Sequence, residues 1–348
     1  MRTLHLACMP FPTPQGTQAV VGAMVRALRA AGHDAHLLVY GPGRPGDPEW
    51  LHRAAGPPAG ERSGPSWTKV VLDARMIARL RDRWRRLRRP AVVAHNVEAA
   101  LVARAARVPA LYFAHTRMDA ELPTYGALPF ARPLGRLLDR LAGAAPAAIS
   151  PALARHLGGT YVAPPWEPAG PEPAAPEGPV LYAGNLDGYQ GWEVVVDACA
   201  RARRALLVAT ASDPAPLRAE AARVGLGDLR VMALRGETDR ARAHAEAAVV
   251  AVPRRAPGGL PIKLLDALGR GRPVVAMERA LAGLSPPPAV RVVPDDDASA
   301  FAAALRGGLP DGSSGPEWVA RSFDPASFAE RLHRVLPGRR SAGAVSAS

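Results

Sequence analysis

Apolar residues in this chain gather into short unbroken runs, separated by stretches of helical period. In the first half the runs fall at residues 3–8, 34–40, 91–94, 110–114 and 147–149. In the second half they fall at 180–183, 205–209, 229–234, 248–252, 273–277 and 290–293. Apolar runs without alternation predict strands of a parallel sheet that is covered on both faces. Between them, residues 18–31, 192–203 and 261–268 place apolar side chains at helical spacing. This β-α-β alternation occurs twice, which predicts an α/β fold of two facing, doubly wound, Rossmann-like domains. Sheets of this kind take ligands beyond the carboxyl ends of their strands, so the expected site is the cleft between the two domains.

The alternation breaks at 164–179, PPWEPAGPEPAAPEGP, where proline recurs every few residues and no period survives. Proline stiffens such a segment and removes amide donors, so it is expected to space two bodies. The expected organisation is a first domain over 1–163, the spacer over 164–179 and a second domain over 180–315. A helical segment over 316–340, carrying Trp318, Val319, Phe323, Phe328, Leu332 and Leu336, is expected to pack across a domain surface, followed by a disordered tail over 341–348.

Composition narrows this picture. With 348 residues, 48% hydrophobic and 22% charged, the chain is expected to fold as about two domains. No apolar run approaches the ~18 residues that span a bilayer. Met1 to Pro10 reaches proline too early for a signal-peptide core, so a cytoplasmic location is expected. The two cysteines, Cys8 and Cys199, exclude a disulfide scaffold or a cysteine-rich zinc module. The net charge is +13, yet the only lysines are Lys69 and Lys263, and arginine supplies the rest of the 44 basic residues. A basic chain suits anionic ligands such as phosphates, nucleic acid or acidic lipid.

The densest chemistry lies at 253–276, PRRAPGGLPIKLLDALGRGRPVVA. A strand ends at Pro253, a glycine loop follows, and Pro261 stands where a helix begins. A glycine loop that feeds a helix N-terminus offers free amides and the positive end of a dipole, which suits a diphosphate. Gly258 and Gly259 let a ligand approach the backbone, and Arg254, Arg255 and Lys263 add charge there. The segment resembles the donor-binding segment of GT-B glycosyltransferases, the retaining family 4 in particular. That family carries two glutamates eight positions apart on this loop and helix, the second of which grips the ribose of a nucleotide sugar. Gly258 and Asp266 occupy those positions here. The resemblance implies that Gly258, Gly259, Leu260 and Lys263 hold a diphosphate, aided by Arg254, and that Asp266 holds the ribose.

Two further segments carry the same resemblance. VLYAGNLDGYQGWEVVVDA, at 180–198, is similar to the first strand and loop of the family's donor domain. There an arginine just after the glycine and a lysine about five residues later neutralise the diphosphate. Here Asn185 and Gln190 follow Gly184 at those places. The N-terminal PFPTPQGTQAVVGAMVRALRAAGHDAHLLVY resembles the opening of the acceptor domain, whose glycine loop, matched by Gly16 and Thr17, faces the diphosphate across the cleft. His115 matches a histidine that lies near the reacting sugar. His95, Glu98 and Glu121 are expected to line the acceptor side.

Residues 75–89 set Met76, Ile77, Leu80, Trp84 and Leu87 on one stripe among arginines. Such a helix can lie on an anionic membrane at its inner face, or turn its stripe into the core. Asp295, Asp296 and Asp297 precede a helix, and N-capping explains them better than a metal does. Zinc-ligand spacing, GxSxG and GxxxxGK[ST] patterns do not occur, and the N-terminal strand, loop and helix at 10–40 carry no GxGxxG, which argues against a dinucleotide oxidoreductase. The expected function is therefore retaining transfer of a sugar from a nucleotide-diphosphate sugar to a glycan or lipid-linked acceptor, with no metal and no separate cofactor. The alternatives are a GT-B epimerase or phosphorylase, an inactive nucleotide-sugar-binding subunit and, with no recognition motif to support it, a nucleic-acid binder.

Overall fold

The structure, a computed structural model, describes residues 1–12, 16–56, 67–125, 129–172 and 175–336. The first domain holds seven strands: β1 (Arg2–Pro10), β2 (Asp34–Tyr40), β3 (Leu51–Ala54), β4 (Ala91–His95), β5 (Ala110–Ala114), β6 (Ala147–Ala148) and β7 (Thr160–Tyr161). Their order is β3-β2-β1-β4-β5-β6-β7, with all pairs parallel. The second domain holds β8 (Val180–Ala183), β9 (Leu206–Thr210), β10 (Leu229–Ala233), β11 (Val249–Val252), β12 (Val274–Met277) and β13 (Val290–Val293). These run in the order β10-β9-β8-β11-β12-β13 and are again parallel. In each sheet the chain starts at the centre, winds outward and then crosses to the other side. The switch points lie between β1 and β4 and between β8 and β11, and crevices open there beyond the strand ends.

Every residue of β8, β9, β11 and β12 is buried, as unbroken apolar runs require when helices cover both faces. The strands without an apolar run are β3, Leu-His-Arg-Ala, and β7, Thr-Tyr. Both are edge strands; β7 is partly exposed, while β3 is largely covered and its buried Arg53 is paired with Asp47.

The C-terminal segment does more than pack across a surface. Helices Ser314–Ser322 and Phe328–His333 bring Phe323, Phe328 and Leu332, all fully buried, into the core of the first domain beside Leu4, Met24, Leu37 and Phe113. The chain therefore crosses back to the domain in which it began. The proline-rich segment is anchored as well as spacing the domains. Pro164 and Pro165 are buried, Trp166 packs on the cores of both domains, and its amide donates to the Phe323 carbonyl at 2.8 Å. Glu172 pairs with Arg270 and Arg272.

Two sequence expectations are decided by packing. On helix Trp67–Arg86, Leu72, Met76 and Leu80 are fully buried, and Ile77, Trp84 and Leu87 pack on the first core. The stripe at 75–89 therefore faces inward and is not available to a membrane. Asp297 accepts from the Ala300 amide at 2.9 Å and caps helix Ala298–Arg306. Asp295 and Asp296 pair with Arg279 and Arg255. Among the described residues no cluster of metal-binding side chains occurs, and no helix is long and apolar enough to cross a membrane. The expected tail at 341–348 lies outside the described residues.

Candidate active site

The two sheets present their carboxyl ends to one cleft of about 1620 Å³. Helices Gly16–Ala30 and Ile262–Gly269 bring their N-termini together across it. A Cβ added to Gly16 would stand 3.3 Å from Ile262 Cγ1, so the glycine lets the two helix starts meet. The cleft wall gathers Gly16, Thr17, His115, Glu121, Gly184, Asn185, Gln190, Arg254, Gly259, Leu260, Lys263 and Asp266. Most of the residues singled out from sequence therefore converge, although they come from segments far apart in the chain. Pro261 is the residue just before the second helix, with extended backbone, and its side chain caps nothing. The first helical amides are left facing the cleft.

Two cations stand at this junction, and no carboxylate among the described residues ion-pairs with either. Arg254 is buried, donates from Nε to the Ala256 carbonyl at 3.0 Å and rests over the Tyr189 ring. Lys263 Nζ donates to Gln190 Oε1 at 3.2 Å and lies 4.1 Å over the Tyr182 ring. Burial, with Arg254 nearby, pushes the Lys263 ammonium down to about 7. Burial also lowers Arg254, but a guanidinium starts high enough to stay charged. Glycine makes room for both. A Cβ on Gly184 would lie 2.9 Å from Lys263 Nζ, and one on Gly259 would lie 2.6 Å from Arg254 Nη2. Asn185 and Gln190 are the neutral residues at the places of the family's arginine and lysine, and they act locally. Asn185 Nδ2 donates to Asp187 at 2.7 Å, and Gln190 holds Lys263.

Gly258 stands just behind the wall, pressed on the first domain. Its carbonyl accepts from Ser150 Oγ, its φ is +96°, and an added Cβ would meet Arg117 Cδ at 2.9 Å. The carboxylate of the family pattern has no room at this position. Gly258→Glu should therefore lower the thermal midpoint by a few degrees, since a side chain at such a φ costs about 1–3 kcal/mol. A thermal scan that shows no loss would remove this account of the glycine.

Asp266 reaches the cleft wall with its carboxylate already engaged. Oδ1 accepts from Arg270 Nε at 3.2 Å, while Arg240 Nε and His244 Nε2 each stand 3.4 Å from Oδ2. Burial alone would raise its pKa, but His244, Arg270 and Arg240 outweigh that and hold the carboxylate below its usual range. It remains an anion that can accept from a hydroxyl.

His95 and Glu98 are not brought to the cleft. Glu98 is half-buried on helix Asn96–Ala105, where burial raises its pKa. His95 is fully buried, the middle member of a chain of three histidines. His5 Nδ1 lies 2.9 Å from His95 Nε2, and His95 Nδ1 lies 3.0 Å from His115 Nε2. Burial pushes His5 and His115 down to about 3, and burial together with its two neighbours holds His95 well below its usual range, so all three are neutral. A neutral imidazole carries one N–H, and two bonds need two protons, so the protons must all run the same way along the chain. Among the described residues the end nitrogens, His5 Nε2 and His115 Nδ1, have no partner. The tautomer that His115 adopts at the cleft wall is thereby tied to His5, in the centre of the sheet. His5 lies inside the apolar run Leu4–His5–Leu6, and a lone polar residue in a buried strand was its only sequence signal.

With this geometry in view, the comparisons place the chain. The model of Glycosyltransferase Family 4 matches residues 14–168, and that of Glycosyl transferases group 1 matches residues 178–311. Between them they take in both domains, and the chain belongs to the GT-B glycosyltransferases, whose activity is sugar transfer from a nucleotide sugar. Among solved structures it is similar to sucrose-phosphate synthase (tll1590) from Thermosynechococcus elongatus, at 18% identity and a TM-score of 0.76, covering 96% of this chain and 98% of that one. It is also similar to Anabaena Alr3699/HepE in complex with UDP and glucose, at 14% identity and a TM-score of 0.72, covering 96% and 98%. A third is WaaG, a glycosyltransferase involved in lipopolysaccharide biosynthesis, at 14% identity and a TM-score of 0.61, covering 97% and 100%. At these identities the likeness speaks to the fold. No curated protein matches the chain in sequence.

Proposed function

We propose that this protein transfers a sugar, with retention, from a nucleotide-diphosphate sugar to an acceptor bound on the first domain. The observation that carries the reading is the pair Lys263 and Arg254, cations that form no ion pair among the described residues, set where two helix N-termini converge. Fixed positive charge in a sheltered cleft is favourable only when an anion shares it. A diphosphate supplies that anion, and its β-phosphate leaves with growing charge stabilised by Lys263, Arg254 and the amides of Gly16, Thr17 and Ile262. These groups offset the charge without calling on a metal. Asp266 accepts from the ribose hydroxyls. His115 lines the sugar side of the cleft as a neutral group, since an imidazole whose pKa is pushed down to about 3 does not serve as a general acid near pH 7. Support for UDP as the nucleotide comes from the complex of Alr3699/HepE. Support for retention is the family 4 match over the first domain.

A second reading is favoured by one observation. Neutral Asn185 and Gln190 leave the diphosphate fewer cations than the family pattern supplies, which suits a binding subunit of low activity. A thermal-shift screen with UDP-, GDP-, TDP- and ADP-sugars separates the readings. One nucleotide sugar at about a hundred times its Kd should raise the midpoint on the order of 5 °C, from roughly 2.7 kcal/mol of linkage. Proton NMR of the product formed with an added acceptor then reports its anomeric configuration. Inversion overturns retention, stabilisation without transfer supports the binding subunit, and interconversion without acceptor supports an epimerase. If no nucleotide sugar stabilises the protein, the donor site is not where we place it.

A further inference from the structure

Helix Ala131–Ala142 is seated tightly on the first domain by one side only. Ala131, Gly135 and Asp139 are buried. A Cβ on Gly135 would come within 2.5 Å of the Asp119 backbone, so this helix rests directly on the segment Met118–Glu121. Asp139 accepts from the Met118 amide at 3.2 Å and from Tyr112 Oη at 3.4 Å. The outward side carries two parallel stripes. One is apolar: Phe130 is 74% exposed, Leu134 42%, Leu137 50% and Leu141 39%. These are half of the eight large hydrophobic residues that are exposed among the described residues, gathered at helical spacing on one element. The other stripe is Arg132, Arg136 and Arg140, all exposed. The helix has a single carboxylate, Asp139, and that one is turned inward. Arg132 and Arg136 also line the cleft.

We propose that this helix docks the protein on an anionic bilayer, with the cleft opening at the membrane surface. Phe130, Leu134, Leu137 and Leu141 enter the boundary of the acyl chains, and the arginine stripe meets headgroup phosphates. The charge argues for lipid over a second copy of this chain, because two such faces would bring six arginines together with no carboxylate between them. Resting on the transferase reading above, the same placement identifies the acceptor class. It is an anionic amphiphile that stays in the bilayer while its headgroup passes Arg132 and Arg136 into the cleft. The membrane surface therefore lies on helix Ala131–Ala142, and not on the helix at 75–89 whose stripe is buried.

The test uses the full-length protein and co-sedimentation with vesicles of phosphatidylcholine alone or mixed equally with phosphatidylglycerol. Binding to the mixed vesicles is expected, weakened by 0.5 M salt, with little binding to phosphatidylcholine. Leu134→Ser with Leu137→Ser should reduce binding at least about tenfold and leave the thermal midpoint and the donor-induced shift unchanged. Val70→Ser with Val71→Ser, exposed positions on the other helix, should change nothing. Absence of binding to anionic vesicles, or binding indifferent to the leucine pair, overturns the proposal. So does a dimer in sedimentation that the leucine variant dissociates while vesicles are ignored. A donor shift without vesicle binding sinks this inference and spares the transferase. Vesicle binding without any donor shift keeps the docking surface and removes the acceptor assignment.

Discussion

Lys263→Ala should lower kcat/KM for the nucleotide sugar by about 10²–10³, as the loss of one preorganised partner of a developing oxyanion does, and leave nucleoside binding nearly unchanged. The reason is position. Nζ is lodged against Gly184 and Tyr182 and donates to Gln190, and among the described residues no carboxylate pairs with it, so its charge is held toward the cleft. The depressed pKa adds a signature that a structural lysine would lack. In the free protein the ammonium is charged below about 7 and neutral above it. Donor affinity should therefore fall as pH rises from 6 to 9, by up to about tenfold per unit, and binding above pH 7 should take up a proton. Lys263→Arg should flatten that profile, because a guanidinium stays charged throughout. Calorimetry in buffers of different ionisation enthalpy measures both affinity and proton uptake. An affinity that is flat across this range in the native protein and falls equally for diphosphate and nucleoside in Lys263→Ala would remove the lysine from the donor site.

His95→Phe should be among the most destabilising single changes in the first domain. The phenyl ring fits the volume but leaves His5 Nδ1 and His115 Nε2 buried without partners, at about 1–3 kcal/mol for each. Urea titration should show the midpoint falling, with His95→Gln, which can both donate and accept, recovering part of the loss. The ¹⁵N ring signals of His115 should change from a single neutral tautomer to a mixture in His95→Phe, a readout that simple loss of packing would not move. Acid sensitivity follows from the same chain. The folded-state pKa values lie far below 6.5, so the unfolded chain binds more protons as pH drops beneath 6.5. Stability present above that value is lost as pH falls toward 3, with a slope of up to about 4 kcal/mol per pH unit from the three imidazoles. A native stability that is level from pH 7 to 4.5, or a His95→Phe variant as stable as the parent, would refute the chain as a structural unit.

How far the site could be read in advance depended on the range of the forces involved. The glycine loop at 256–261, the helix start after Pro261 and the apolar runs of β8, β11 and β12 are local features, written in neighbouring residues, and they stand where expected. His95 was expected at the acceptor side because it ends an apolar run. It is instead held in the core by His5 and His115, which lie 90 and 20 positions away. Gly258 looked like a lost carboxylate, yet it is a place where Arg117 and Leu153 of the other domain crowd any side chain. Asn185 and Gln190 looked like missing charge. The structure supplies charge to the same corner from Lys263 and Arg254, which lie 73 and 64 positions beyond Gln190 and beyond it by a different loop.

By itself the sequence determined that there are two covered parallel sheets and a glycine loop that feeds a helix start. Period, backbone freedom at glycine and the missing amide of proline act between adjacent residues and need no partner. Only the tertiary structure decided which side chains meet and which faces stay bare. Two helices, Trp67–Arg86 and Ala131–Ala142, carry the same kind of arginine-flanked apolar stripe. One stripe is buried because Leu72, Met76 and Leu80 find a sheet beneath them. The other is exposed because its helix is seated by Gly135 and Asp139 on the opposite side, and amphipathic period alone contains no information about where the neighbour stands.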